Sequence, residues 1–148
     1  MKVIIATDGS EYSKAAVEEC CRMIIRPEDV EIKIVAAYEN VYVVMGEPVA
    51  VSADYYQELT KAAANQADIF ADEARRIVRE RLDGRVKDVS VDVVNGSPEH
   101  MIVEIAKEWK ANLIVVGSHG RGFWGRLLGS VSDAVVHHAP CSVLVVRH

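Results

Sequence analysis

The sequence predicts an α/β protein: a five-stranded parallel open sheet with helices on both faces, formed as one domain over residues 1–148. Three observations predict it. Five short apolar runs, at residues 2–7, 31–37, 88–94, 112–116 and 142–147, read as strands. Helical patterns separate them, and strict alternation of strand and helix implies parallel β-α-β units. Finally, residues 3–6 and 113–116 are unbroken apolar stretches, as expected of central strands covered on both faces.

Each helix has its own signals. The first is expected from Ser10 to Ile25, with Ala16, Val17, Cys20, Cys21 and Ile24 on one face and Pro27 closing the segment. The second runs from Asp54 to Leu82, where Ala63, Ala67, Phe70, Ala74 and Ile77 recur at helical spacing and Gly84 marks the end. The third has Ser97 as N-cap, Pro98 at the first helical position and a stripe of Ile102, Ile105, Ala106 and Trp109. The fourth begins at Ser130, with Val131, Ala134, Val135 and His138 facing inward, His137 on the surface and Asp133 in the first turn. Residues 39–53 are the one long connection without periodicity and are expected to form a lid or surface loop.

The strands differ among themselves. Val89-Ser90-Val91-Asp92-Val93 alternates apolar and polar, the pattern of an edge strand with one wet face. The last run, Val143-Leu144-Val145-Val146, is unbroken although it should end the sheet. An apolar edge of that kind invites another chain, so a homodimer through Val143–Val146 is expected.

Composition narrows the function classes. Half the residues are apolar, 26% are charged and the formal net charge is −5, which gives no sign of a nucleic-acid surface. No apolar run approaches the ~20 residues needed to span a bilayer. Met1-Lys2 leads directly into Val3-Ile4-Ile5-Ala6 and then Asp8, too short for a signal-peptide core, so the chain is expected to be cytoplasmic. Of the three cysteines, Cys20 and Cys21 are adjacent and on an apolar face, and Cys141 stands apart. They read as reduced thiols without a redox or zinc role. His137 and His138 are neighbours on a helix and diverge by roughly 100°, so they do not share a metal.

The chemistry gathers at the expected carboxyl ends of the strands. Five of the nine glycines lie between Gly117 and Gly129, where an apolar strand empties into a glycine loop and then a helix start. Glycines admit close backbone approach, and the first N–H groups of a helix lack internal partners and carry the positive end of its dipole, so the segment suits phosphate. Gly120, Gly129, Ser130 and Val131 would present N–H groups, and the Ser130 and Ser132 hydroxyls would add donors. Gly129 is expected at positive φ. Ala6-Thr7-Asp8 ends the first strand, and if the first and fourth strands are neighbours, Asp8 faces the glycine loop across one crevice. Its carboxylate suits ribose hydroxyls or the amino group of a base. As a turn or cap residue before the first helix, Asp8 would need no ligand. Arg121 and Arg126 either pair with phosphates or are solvated loop charges. His119 follows the fourth strand, either within reach of a ligand or as an ordinary loop histidine.

These residues resemble those of the universal stress protein family. The match comprises Thr7-Asp8-Gly9-Ser10, Gly96-Ser97-Pro98, Ala111-Asn112-Leu113-Ile114-Val115-Val116-Gly117, Gly129-Ser130-Val131-Ser132 and the tail from His138 to Val146, in order along the whole chain. The resemblance implies strand order 3-2-1-4-5, dimers through the last strand, and membership of either an ATP-binding or a non-binding group. The binding group carries glycine, two residues, glycine, nine residues, then glycine and Ser or Thr. Gly117, Gly120 and Gly129-Ser130 match, but eight residues separate Gly120 from Gly129, a departure that bears on phosphate geometry more than on adenine. By resemblance, Ala6, Thr7 and Asp8 contact adenosine, and Ala37 and Val116 wall the adenine. Gly117 and Gly120 lie by ribose and phosphate, while Gly129, Ser130, Val131 and Ser132 hold the phosphates, with magnesium accompanying ATP.

No Gly-x-x-x-x-Gly-Lys-Ser/Thr or Gly-x-Ser-x-Gly pattern occurs, and no Gly-x-Gly-x-x-Gly follows the first strand as it does in dinucleotide folds. The expected function is a dimeric stress-response protein that binds ATP and signals to an unidentified protein partner through its conformation. A dimerising module without nucleotide and a slow ATPase or nucleotidyl-transfer enzyme are the alternatives.

Overall fold

A computed structural model describes residues 1–40, 53–120 and 128–147. Five parallel strands form one sheet in the order β3-β2-β1-β4-β5. They are β1 (Lys2–Ala6), β2 (Glu31–Tyr38), β3 (Asp88–Asn95), β4 (Leu113–Gly117) and β5 (Ser142–Val146). The helices are α1 (Glu11–Met23), α2 (Ala53–Arg81), α3 (Pro98–Trp109) and α4 (Ser130–His138), with a single 3-10 turn at Pro27–Asp29. Fold class and strand order are as expected, and the strand boundaries move by no more than one residue. The expected 39–53 loop lies outside the described residues from 41 to 52.

Side-chain alternation divides the core into two layers. Val3, Ile5, Ile32, Ile34 and Ala36 point toward α1 and α2, whereas Ile4, Ala6, Val35, Ile114 and Val116 point toward α3 and α4. Both faces of β1 are buried, which is why its run has no polar interruption. On the edge strand β3, Val89, Val91 and Val93 pack against the α2 layer. The adjacent Asp92 forms a 2.6 Å ion pair with Lys33 on the other face.

The helix boundaries follow their caps. Ser10 caps α1, its side chain accepting the Ser13 N–H. Ser97 stands at the N-cap position of α3, but its side chain makes no capping bond; Pro98 sets the first turn. The end of α2 is turned by Asp83 (φ 51°) and Gly84 (φ 65°), with the Gly84 N–H bonded to the Arg79 carbonyl.

Two inward assignments change. In α2 the buried row is Ala67, Ala71, Ala74, Val78 and Leu82, while Phe70 and Ile77 flank it. The buried row keeps helical 3- and 4-residue spacing but centres on Ala71, Ala74 and Val78, which leaves Phe70 and Ile77 at its margin, Ile77 still packed against the core. His138 is exposed rather than inward, because the inward face of α4 centres on Ser132, Val135 and Ala139, which leaves His138 on its flank. His137 is exposed as expected.

Ala71 is 0% exposed. Ala71→Leu should therefore destabilise the protein by about 1–3 kcal/mol through overpacking, whereas Ala62→Leu on the exposed face should stay within about 0.5 kcal/mol. Urea unfolding of the two variants checks the phase of the buried row.

Candidate functional site

In a sheet ordered 3-2-1-4-5 the connections from β1 and β4 leave in opposite directions, so a crevice opens beyond their carboxyl ends. A cavity of about 420 Å³ lies there, within the range that small-molecule ligands occupy. All eleven residues singled out from the sequence line it: Ala6, Thr7, Asp8, Ala37, Val116, Gly117, Gly120, Gly129, Ser130, Val131 and Ser132. His119 lines it as well. Four further lining residues were not anticipated: Ser13, Val35, Pro98 and Ile102. Alternation explains Val35, which shares its face with Ala37. Pro98 and Ile102 come from α3, and only the tertiary packing of that helix brings them in.

The apolar wall and the polar rim have different origins. Ala6, Val35, Ala37, Val116 and Ile102 form a surface of small and branched side chains suited to a flat apolar group. The polar groups come from the turn after β1 and from the start of α4. Asp8 Oδ1 accepts the Ser10 N–H at 3.0 Å and the Ser10 hydroxyl at 2.6 Å, so the carboxylate is a turn residue and a cavity residue together. A Cβ added to Gly120 would stand 3.0 Å from Asp8 Oδ2, which places the glycine loop directly beside that carboxylate.

Below the rim runs a chain of hydroxyls. The Ser13 hydroxyl donates to the Ser10 carbonyl at 2.9 Å, which consumes its only proton. In the 3.2 Å contact between Thr7 and Ser13, the Thr7 hydroxyl is then the donor. Thr7 in turn accepts the Gly9 N–H at 3.3 Å. Gly9 has φ +74°, and a Cβ there would fall 2.2 Å from Phe70 Cδ1, so the turn demands glycine on two counts.

The glycine loop is fixed at both described ends. Gly117 lies so close to α1 that a Cβ would meet the Tyr12 carbonyl carbon at 2.7 Å. The Ser118 carbonyl accepts the Gly129 N–H at 2.8 Å and the Ser132 hydroxyl at 3.0 Å. Ser132 also contacts the Gly129 carbonyl at 2.9 Å, so its hydroxyl proton serves the backbone and its contribution to the cavity is its N–H. The first bond of α4 is Asp133 N–H to Gly129 carbonyl, which leaves the N–H groups of Ser130, Val131 and Ser132 without acceptors inside the helix. Gly129 has φ −67°, not the expected positive value. Space is the restriction there, since a Cβ would sit 3.3 Å from His119 Cα and 3.4 Å from the Ser118 oxygen, tight contacts that a small shift relieves. Arg121 and Arg126 lie outside the described residues. The His119 ring packs 5.1 Å from that of Tyr12, and its Nδ1 is 3.0 Å from the Ser118 hydroxyl.

The cysteines lie away from this cavity. Burial pushes the Cys20 thiol up to about 12 and that of Cys21 up to about 11, which disfavours the reactive thiolate. Among the described residues no group of three or more His, Cys, Asp or Glu is placed to hold a metal ion. No helix among them is long and apolar enough to cross a membrane.

Fold and cavity together define a doubly wound α/β protein with a cavity at its switch point. The family model for the universal stress protein family matches residues 1–147, and the chain belongs to that family. A universal stress protein of Thermus aquaticus is 33% identical over 146 residues, covering 98% of this chain and 97% of its own. One from Methanocaldococcus jannaschii is 32% identical over 147 residues, or 99% of this chain and 81% of its own. Among solved structures, the universal stress protein UspA from Lactobacillus plantarum shares the fold with a TM-score of 0.79 at 24% identity, over 99% of this chain and 97% of that one. A universal stress protein solved in complex with cAMP gives a TM-score of 0.63 at 28% identity, over 99% and 95%.

Because Gly129 is limited by space and not by φ, Gly129→Ala should be tolerated with a loss of about 1 kcal/mol, and Gly129→Val should cost about 1–3 kcal/mol. Thermal unfolding of the pair separates the two explanations: equal damage from both would restore a backbone-conformation account.

Proposed function

We propose that this protein binds an adenine nucleotide, ATP with magnesium in the working form, in the cavity between β1, β4 and the start of α4. It would act as a cytoplasmic homodimer whose nucleotide-dependent conformation is read by a protein partner. The observation that carries the reading is convergence. One cavity joins an apolar slot, a carboxylate and three helix-start N–H groups, which are the complements of a base, a ribose and a phosphate. The relative solved with cAMP supports an adenine-containing ligand for the same fold.

The roles divide by chemistry. Ala6, Val35, Ala37, Val116 and Ile102 would cover the faces of the base. Asp8, next to Thr7, would accept from ribose hydroxyls or the amino group of adenine. Gly117 and Gly120 would leave room for ribose and phosphate, Gly129 would keep the approach to the helix start open, and the N–H groups of Ser130, Val131 and Ser132 would turn toward the phosphates. Asp8 is the one carboxylate among the described lining residues, so magnesium would be held chiefly by the triphosphate itself. A triphosphate supplies charge and a cleavable bond. The residues described here supply binding and orientation.

Mass spectrometry of small molecules released from the purified, denatured protein tests the ligand class, with an adenine nucleotide expected. In calorimetric titration, Asp8→Ala should weaken ATP binding at least tenfold while leaving the protein folded, since a hydrogen bond to a charged group contributes about 1.5–3 kcal/mol. Equal affinity of the wild type for ATP and adenosine would remove the phosphate role of α4.

For the dimer, the support is β5. It ends the sheet, and Val143, Leu144 and Val145 are only half-buried. Sedimentation velocity at tens of micromolar should show a dimer. Val145→Pro should abolish it by removing a backbone donor from the ladder, and Val145→Lys should weaken it with less injury to the sheet. A monomeric wild type would end the dimer reading before any variant is made.

A further inference from the structure

We propose that Ser10 is a positioning residue for Asp8: its hydroxyl holds the Asp8 carboxylate in the orientation it presents to the cavity, and ligand affinity depends on that hold. The inference rests on the reading of Asp8 as a ligand-binding carboxylate.

Ser10 is bonded in three directions that a capping residue alone would not need. Its Oγ accepts the Ser13 N–H at 3.2 Å, which is the capping bond. Its hydroxyl proton goes to Asp8 Oδ1 at 2.6 Å, the shorter of the two bonds it makes to that oxygen, and its own N–H goes there too, at 3.0 Å. Its carbonyl receives the Ser13 hydroxyl at 2.9 Å and the Lys14 N–H at 3.0 Å, which ties it to the first turn of α1. Short O–H···O⁻ bonds are among the stronger and more directional hydrogen bonds. With Oδ1 held on the α1 side, the other carboxylate oxygen is directed to the glycine loop, where a Cβ on Gly120 would lie 3.0 Å from it. Ser10 itself is not among the residues lining the cavity, so its influence on a ligand passes through Asp8.

Capping and positioning separate chemically. Glycine caps a helix within a few tenths of a kcal/mol of serine, and it keeps the backbone N–H that bonds Asp8. Ser10→Gly therefore deletes the hydroxyl donor with little loss of helix stability. Ser10→Thr retains a hydroxyl at the same place and is the rescue.

The experiment has two arms. In the ligand-free protein, three-bond Hα–Hβ couplings of Asp8 report whether its side chain keeps one rotamer. They should be averaged in Ser10→Gly and wild-type-like in Ser10→Thr. In the second arm, titration with AMP and with ATP should show Ser10→Gly weakened about tenfold, the scale of one charge-assisted hydrogen bond partly transmitted, with Ser10→Thr restored. The same Ser10→Gly change made in an Asp8→Ala background should have no further effect on affinity. Unaveraged couplings in Ser10→Gly overturn the proposal, as does an additive loss of affinity in the double variant. Averaged couplings with unchanged affinity overturn it too, by severing the hold from binding. A wild type that binds neither AMP nor ATP overturns the nucleotide reading instead, and the couplings still decide whether Ser10 holds the carboxylate.

Discussion

Ser118 is the constraint on which the cavity depends. It is 1% exposed, and each of its polar groups is engaged. Its N–H continues the β4–β5 ladder to the Val146 carbonyl at 2.7 Å. Its carbonyl takes both the Gly129 N–H and the Ser132 hydroxyl, and its own hydroxyl meets the His119 ring. A buried carbonyl with two donors fixes the spacing between the end of β4 and the start of α4 whatever path the chain takes between them. That spacing keeps the start of α4 on the same cavity as Asp8. Breaking it would leave a buried acceptor unsatisfied, which typically costs about 1–3 kcal/mol.

Close backbone approach is the second requirement, and it is met by glycine for two different reasons. Gly9 needs a positive φ and room for the Phe70 ring. Gly117 has no such φ; it is glycine because β4 runs against the Tyr12 backbone, so α1 can bring the Ser10–Ser13 turn to the cavity edge. The two faces of the sheet are consequently unequal at their carboxyl ends. Toward α1 and α2 the Phe70 ring lies under Gly9, beside a smaller hollow of about 250 Å³. Toward α3 and α4 the small side chains Ala6 and Ala37 leave the slot open.

Much of this was legible in the sequence because it rests on local rules. Unbroken runs marked β1 and β4 as central, alternation marked β3 as an edge, and the carboxyl-end rule selected Asp8 and the glycine loop together. The phase of α2 was not legible. Its central row is mostly alanine, and the bulkier Phe70 and Ile77 draw attention to a neighbouring stripe. His138 misled for a related reason, since a face centred on Ser132, Val135 and Ala139 leaves it on the flank. Gly129 showed that a glycine at a helix start does not disclose whether φ or space excludes a side chain. Ser118 carried no outward mark, because its role lies in tertiary hydrogen bonds to Val146, Gly129 and Ser132. Ser10 stood in the Thr7-Asp8-Gly9-Ser10 match, but the direction of its hydroxyl to Asp8 is visible only in the folded turn.

The same bonds join the cavity to the edge of the sheet. Ser118 links α4 through its carbonyl to β5 through its N–H, and β5 is the strand whose apolar residues remain half-buried at the sheet edge. On the opposite side, Ser10 links the Asp8 carboxylate to the first turn of α1, and α1 packs on β4 at Gly117 and on β5 through the Val146 layer. A group seated between Asp8 and α4 would therefore press on two arms that meet at the same strand. The start of α4 and the β5 edge are thus tied to one buried residue, Ser118, in an interior dense enough to transmit strain.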